Sequence, residues 1–231
     1  ATEKVSAAYD STNNKVVILY KDTGNSNYPT AIVGTVSGTS ISFGSETALS
    51  SSAADTTTVS YDSGNQKIVA AYRDDTVEDL KVAVGTVSGT SISFATPVSF
   101  NVLVQWLSSA YDPDNGIVLF NFKNASGNAG TCVPAVINGT SFSFGSSVVF
   151  ETGSTEYTST VYDTNADKFV VAFNDGGGGD QGRAVVQTSS KTVGVTPDQT
   201  YYVQTDGSLS TTSSSVTAGK AIGTSTLLLK G

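Results

Sequence analysis

The sequence predicts an all-β protein of β-propeller-like architecture. Three observations carry this expectation: a tandem repeat every 50 to 52 residues, period-2 alternation within each repeat, and a composition rich in small hydroxyls. Of 231 residues, 33 are Ser and 31 are Thr, while only 14% are charged and 38% are apolar. Thr, Val, Ile, Tyr and Phe suit a pleated, half-buried surface, and Ser is a mediocre helix former. An all-helical fold is therefore excluded, and the chain is long enough to bury a core of its own.

The repeat is read most easily from its tyrosines. SAAYDSTNNKVVILYKD (6–22) recurs as TVSYDSGNQKIVAAYRD (58–74), SSAYDPDNGIVLFNFKN (108–124) and STVYDTNADKFVVAFND (159–175). Tyr9, Tyr61, Tyr111 and Tyr162 anchor the copies, and each is followed eleven residues later by a second aromatic, Tyr20, Tyr72, Phe122 or Phe173. Next, AIVGTVSGTSISFG (31–44) recurs as AVGTVSGTSISFA (83–95) and AVINGTSFSFG (135–145).

Each unit reads as four strands, in the first copy 5–10, 15–20, 30–36 and 40–44. The first strand is rich in Ala and Ser, as an innermost strand crowded around a channel requires. It meets the second at Asp/Asn/Gly turns (DSTNNK, DSGNQK, DPDNG, DTNADK), because Asp and Asn side chains bond nearby amides and tolerate left-handed backbone. The third and fourth meet at Ser-Gly-Thr or Asn-Gly-Thr, where Gly38, Gly89 and Gly139 supply positive φ. Four antiparallel strands in tandem are the signature of propeller blades.

These signals divide the chain into four blade repeats over 1–191 (3–56, 57–106, 107–157 and 158–191) and a C-terminal β-hairpin module over 192–231. The fourth repeat is incomplete, since no GTSxSF strand follows VVQTSS. In the tail, TYYVQ and SLSTT predict a hairpin around Thr205–Gly207, with VTAGKAI and TLLLK as two further strands. The module either completes the last blade or stands alone. Thr226–Lys230 is too apolar to stay solvated and is expected to be buried in its own sheet or at a subunit contact.

Absences narrow the chemistry. With no His, no imidazole base, Ser-His-Asp triad or His-ligated zinc is available. A lone Cys132 excludes disulfides within the chain and Cys-cluster metal sites. A net charge of −8 argues against nucleic acid, and no run of 18 apolar residues predicts membrane insertion. The absence of Met, even at position 1, implies a processed chain or a piece of a longer product.

Each candidate site also reads as a turn or packing element. Asp10, Asp62, Asp112 and Asp163 invite a metal reading, but a calcium loop needs further oxygens and a late bidentate Glu, so they read as turn formers. Asp175–Asp180 lacks the Lys-Ser/Thr and helix of a phosphate loop and reads as a blade loop. Asp74, Asp75, Glu78 and Asp79 could in principle supply the paired carboxylates of a glycosidase, yet no other repeat echoes them. No metal, cofactor or catalytic residue is expected. Trp106 and Tyr157 break the repeat at the position held by Lys4 and Thr56, in what read as inter-blade linkers. They are either packing plugs or a tentative glycan-binding platform, because aromatic faces suit sugar rings.

The pattern YD…KVVxAY, AxVGTVSGTSISFG and YYVQTDGSL…VTAGKAI…LLLKG resembles repeat-containing virion structural proteins, tail-fibre-like, of marine tailed bacteriophages such as cyanophages. That resemblance covers nearly the whole chain. It implies a non-enzymatic virion component, a tail fibre or surface appendage with a host-glycan attachment role. Its implied partners are other virion proteins, copies of itself and cell-surface glycans. The alternative is a secreted or cell-surface bacterial β-propeller lectin or the subunit of an adhesive filament.

Overall fold

The computed structural model describes residues 1–188 and, beyond them, four short strands within 200–229. The chain divides into two compact units, Ala1–Ser189 and Ser190–Gly231.

The first unit is built of consecutive antiparallel blades. Blade 1 comprises β1 (Thr2–Asp10), β2 (Lys15–Asp22), β3 (Tyr28–Ser37), β4 (Ser40–Phe43) and the short β5 (Thr47–Ala48), which also pairs with β3. Blade 2 repeats this order with β6 (Ala54–Asp62), β7 (Lys67–Asp74), β8 (Asp79–Ser88) and β9 (Ser91–Phe94). Its outer edge is then extended by the start of β10 (Val98–Asp112), whose second half becomes the innermost strand of blade 3. Blade 3 adds β11 (Ile117–Asn124), β12 (Ala129–Asn138) and β13 (Ser141–Phe144). β14 (Val148–Asp163) makes the same crossing into blade 4, which continues through β15 (Lys168–Asp175) and β16 (Gln181–Gln187). Blade 4 has three strands among the described residues.

Trp106 and Tyr157 do not sit in linkers but inside β10 and β14. The segments joining blades 2 to 3 and 3 to 4 are continuous strand, because pairing with β8 or β12 gives way to pairing with β11 or β15 between successive residues, Leu103 to Val104 and Ser154 to Thr155. The sequence boundaries at 106/107 and 157/158 therefore fall within strands.

The turn chemistry follows the residues that encode it. The Asp10 carboxylate accepts from the amides of Thr12 and Asn13, Asp62 from Asn65, Asp112 from Asp114 and Asn115, and Asp163 from Asn165 and Ala166. Each such hairpin ends on a left-handed residue: Asn14, Gln66, Gly116 or Asp167, with φ between 53° and 65°. Gly38, Gly89 and Gly139 take φ of 59°, 62° and 66° at the outer hairpins.

Blades pack face to face. The side of blade 1 carrying Val17, Leu19, Ala31 and Val33 meets the side of blade 2 carrying Val59, Ile68, Tyr72 and Ile92. Blade 2 in turn offers Val69, Ala71, Val82 and Val84 to Val118, Phe120, Ile137 and Phe142 of blade 3. Leu119 and Cys132 of blade 3 meet Phe169 of blade 4. Every blade thus has a leading face, turned to the blade before it, and a trailing face, turned to the blade after it.

The second unit contains β17 (Thr200–Val203), β18 (Leu209–Ser210), β19 (Val216–Ala221) and β20 (Leu227–Leu229), ordered β18-β17-β19-β20 in one antiparallel sheet. Thr205–Gly207 lies outside the described residues, as do the side chains of Leu227–Leu229 on which the expectation of burial rests.

Candidate functional site

The innermost strands β1, β6, β10 and β14 lie beside one another in chain order, and their small residues explain how. Ser109 Oγ bonds Thr58 Oγ1 at 3.0 Å and Ser60 Oγ at 2.7 Å across the blade 2–3 boundary. Ser108 Oγ does the same with Thr158 Oγ1 (3.0 Å) and Thr160 Oγ1 (2.7 Å) between blades 3 and 4. Between blades 1 and 2 the Val59 amide donates to Ser6 Oγ. Hydroxyls serve here because they both donate and accept in a space too narrow for longer side chains.

Each innermost strand carries a bulge at the same repeat position. Register slips between Glu3 and Ser6, Ala54 and Thr57, Gln105 and Ser108, and Glu156 and Ser159. At three of the four bulges the extra residue is left-handed: Lys4 (φ 51°), Trp106 (φ 54°) and Tyr157 (φ 50°). Positive φ costs a bulky L-residue on the order of 1–3 kcal/mol and persists only where surrounding contacts over-determine it. Those contacts are visible: Thr57 Oγ1 donates to the Lys4 carbonyl, and Thr158 Oγ1 donates to the Trp106 carbonyl. Bulges re-aim side chains, and these three are aimed at one another.

The result is a stack. The Trp106 and Tyr157 rings lie 4.1 Å apart between centroids at 43°, and the Lys4 ammonium sits 5.3 Å from the Trp106 ring centroid. The two aromatics, which hold the same repeat position in successive blades, are thus in direct contact. Trp106 is half-buried between its neighbours, whereas Tyr157 is 62% exposed. Beside the stack, Lys4, Asp55, Thr56, Gln105 and Trp106 line a cleft of about 130 Å³. Asp55 is held by Arg73 Nη1 at 3.0 Å. Lys4, Asp55 and Gln105 were not singled out as site residues from the sequence, although the register that isolates Trp106 and Tyr157 also aligns Lys4 with them.

The remaining candidates have structural occupations. Arg73 bridges Asp75 and Glu78 as well as Asp55, and the Asp74 carboxylate accepts from the Thr76 amide. The glycine run forms a short 3-10 turn, Gly176–Gly178, capped by the Asp175 side chain and closed by Gly179 at φ 86°. Cys132 is buried, and desolvation pushes its thiol up to about 11. Among the described residues no group of three metal-ligating side chains converges.

No protein-family model matches the chain, and no curated protein matches it in sequence. Among known structures, two variants of an exo-beta-1,3-galactanase from Phanerochaete chrysosporium, each with beta-1,3-galactotriose, superpose with TM-scores of 0.53 and 0.54 at 9% identity. Both matches cover 90% of this chain and 48% of the galactanase, so the chain spans about half the length of that protein. A protein from Lactobacillus plantarum gives a TM-score of 0.49 at 8% identity, over 94% of this chain and 70% of the other. Likeness at this level of identity is one of architecture: the chain has a β-propeller-like fold of tandem antiparallel blades.

Proposed function

We propose that the chain is a non-enzymatic structural protein of a virion surface appendage that holds host glycans at the Lys4–Trp106–Tyr157 stack. The observation that carries the glycan reading is an exposed tyrosine ring, backed by tryptophan, beside a small cleft with polar groups. All three stacked residues stand at bulges that recur at one repeat position. The outer face of Tyr157 stacks on a sugar ring. Lys4 and Gln105 offer hydroxyl-binding groups, since an ammonium donates and an amide both donates and accepts. Trp106 supports Tyr157 rather than presenting a free face of its own. The virion assignment rests on the sequence resemblance, and the non-enzymatic one on carboxylates committed to turns and to Arg73.

A glycan array followed by titration calorimetry tests the site. Tyr157→Ala should weaken the best glycan about fivefold, because an aromatic stack contributes on the order of 1 kcal/mol. The melting temperature should hardly change, as the ring is mostly exposed. Binding that survives both Tyr157→Ala and Lys4→Ala would overturn the assignment of the site. Immunogold labelling of particles tests the virion role, and a chain absent from purified virions would refute it.

A further inference from the structure

One repeat position supplies polar groups to the cleft beside the aromatic stack. Glu3, Asp55, Gln105 and Glu156 each stand six residues before a repeat tyrosine, immediately ahead of the bulge residue of their strand. Three of the four are acids matched to a cation. Glu3 lies opposite Lys21 in register, Asp55 binds Arg73 Nη1 at 3.0 Å, and Glu156 reaches Lys123 Nζ at 3.7 Å. Gln105 is the neutral exception: Lys123 stands opposite it in register and pairs with Glu156 of the next blade instead.

Asp55 and Gln105 both line the cleft, together with Lys4, Thr56 and Trp106. Asp55 accepts from Arg73 through Oδ2, and its Oδ1 has no partner among the described residues. The Asp55 side chain is 36% exposed, whereas Arg73 is only 13% exposed and is gripped by Asp75 at 3.5 Å and Glu78 at 2.7 Å. This carboxylate is therefore fixed from behind and open in front. The Gln105 amide and the Lys4 ammonium enter no hydrogen bond or ion pair among the described residues, and Lys4 lies over the Trp106 ring. Lys4, Arg73 and Lys123 face Asp55, Asp75, Glu78 and Glu156, so the surroundings of the cleft carry one negative charge in excess.

We infer that Asp55 is the specificity-determining residue of this site and that its ligand is an uncharged sugar, one hydroxyl of which donates to Asp55 Oδ1. The inference rests on the glycan reading of the Lys4–Trp106–Tyr157 stack and adds to it the class of sugar. A hydroxyl both donates and accepts, so one uncharged ring meets an acceptor at Asp55 and donors at Lys4 and Gln105. Hydrogen bonds to an ionised carboxylate are stronger than those between neutral groups, which makes Asp55 the main polar anchor. A uronate or a sulfate ester brings only acceptor oxygens to Asp55, and its charge is repelled by that fixed carboxylate. Lys4 attracts such a group, but the acids around the cleft outnumber the cations.

Titration calorimetry on the full chain tests this with matched pairs of ligands: neutral hexose oligosaccharides, and the same oligosaccharides carrying a uronate or a sulfate. The neutral member of a pair should bind about tenfold more tightly than the acidic one, because like charges brought together oppose binding. Raising the salt concentration should narrow that gap, since salt screens the repulsion. This arm needs no variant and stands even if a substitution fails to fold. Asp55→Asn should weaken the neutral sugar about tenfold, as expected for losing a hydrogen bond to a charged group, and should also narrow the gap. A preference for the acidic members overturns the inference. So does binding that Tyr157→Ala weakens while Asp55→Asn changes neither affinity nor preference, a result that leaves the stack as the site. Failure to bind any member overturns the glycan reading and this inference with it.

Discussion

The repeat tyrosine shows how one residue type serves both packing and electrostatics. Tyr111 lays its ring in the blade 2–3 core and brings its hydroxyl to the Gly64 amide at 3.1 Å. Burial, and then the Asp62 carboxylate beside it, pushes its phenol up to about 12 from an ordinary 10.0. A phenolate there would be poorly solvated and would face a carboxylate. The sign of the linkage follows. Below pH 10 the phenol is neutral in both folded and unfolded chains, and its stabilising contribution is complete. Between pH 10 and 12 the unfolded chain ionises first, so that contribution is lost as pH rises. Urea unfolding midpoints measured from pH 9 upward should fall across this window. In Tyr111→Phe the fall should be shallower, and an unchanged slope would exclude the linkage. Gly44 is constrained differently: a Cβ there would lie 1.9 Å from the Thr90 carbonyl oxygen, so blade 1 approaches the outer hairpin of blade 2 through a residue without a side chain.

At the level of elements, hydroxyls hydrogen-bond the innermost strands to one another sideways, beside the few apolar side chains, such as Val59 and Leu107, that these strands give to the cores. Apolar contacts dominate further out, where β2, β7, β11 and β15 carry the large buried residues. Near the centre the strands converge and only small groups fit, so Ser and Thr provide both the volume and the hydrogen bonds. Ser109 is the clearest test, since its hydroxyl lies within bonding distance of both Thr58 and Ser60. Ser109→Ala should destabilise the fold by about 1 kcal/mol, the usual net value of a lost hydrogen bond. Ser109→Thr should recover part of it. Chemical denaturation of the three proteins measures both effects, and an alanine variant as stable as the original would show that these hydroxyls merely fill space.

For the molecule as a whole, the decisive feature is the unequal burial of interior and terminal blades. β7 and β11 are packed on both faces, while β1 and β16 carry mainly exposed or half-exposed residues. Local stability follows burial, since strands with few apolar contacts open without the rest of the fold. Amide exchange followed by mass spectrometry should therefore be slowest in β7 and β11 and fastest in β16 and the start of β1. Uniform protection across all four blades would mean that the terminal faces are covered.

The sequence by itself determined the β class, the four repeats, the turn residues and the tail's division into short strands. Each of these is local: period-2 alternation, Asp and Asn at tight turns and Gly at positive φ act over a few neighbouring residues. The singling out of Trp106 and Tyr157 was legible for a related reason, because a repeat exposes any position that departs from it. Tertiary structure decided what those positions do. Strand continuity through β10 and β14 depends on hydrogen-bond partners tens of residues away, so a segment that reads as a linker pairs first with one blade and then with the next. The meeting of Lys4 with Trp106 joins blades 1 and 3, a contact set by how tightly the innermost strands converge and carried by no local pattern. The exposure of Tyr9, Val36 and Phe43 is likewise decided by position in the array. The same residue types are buried in blades 2 and 3, because a leading face is covered only where another blade stands before it.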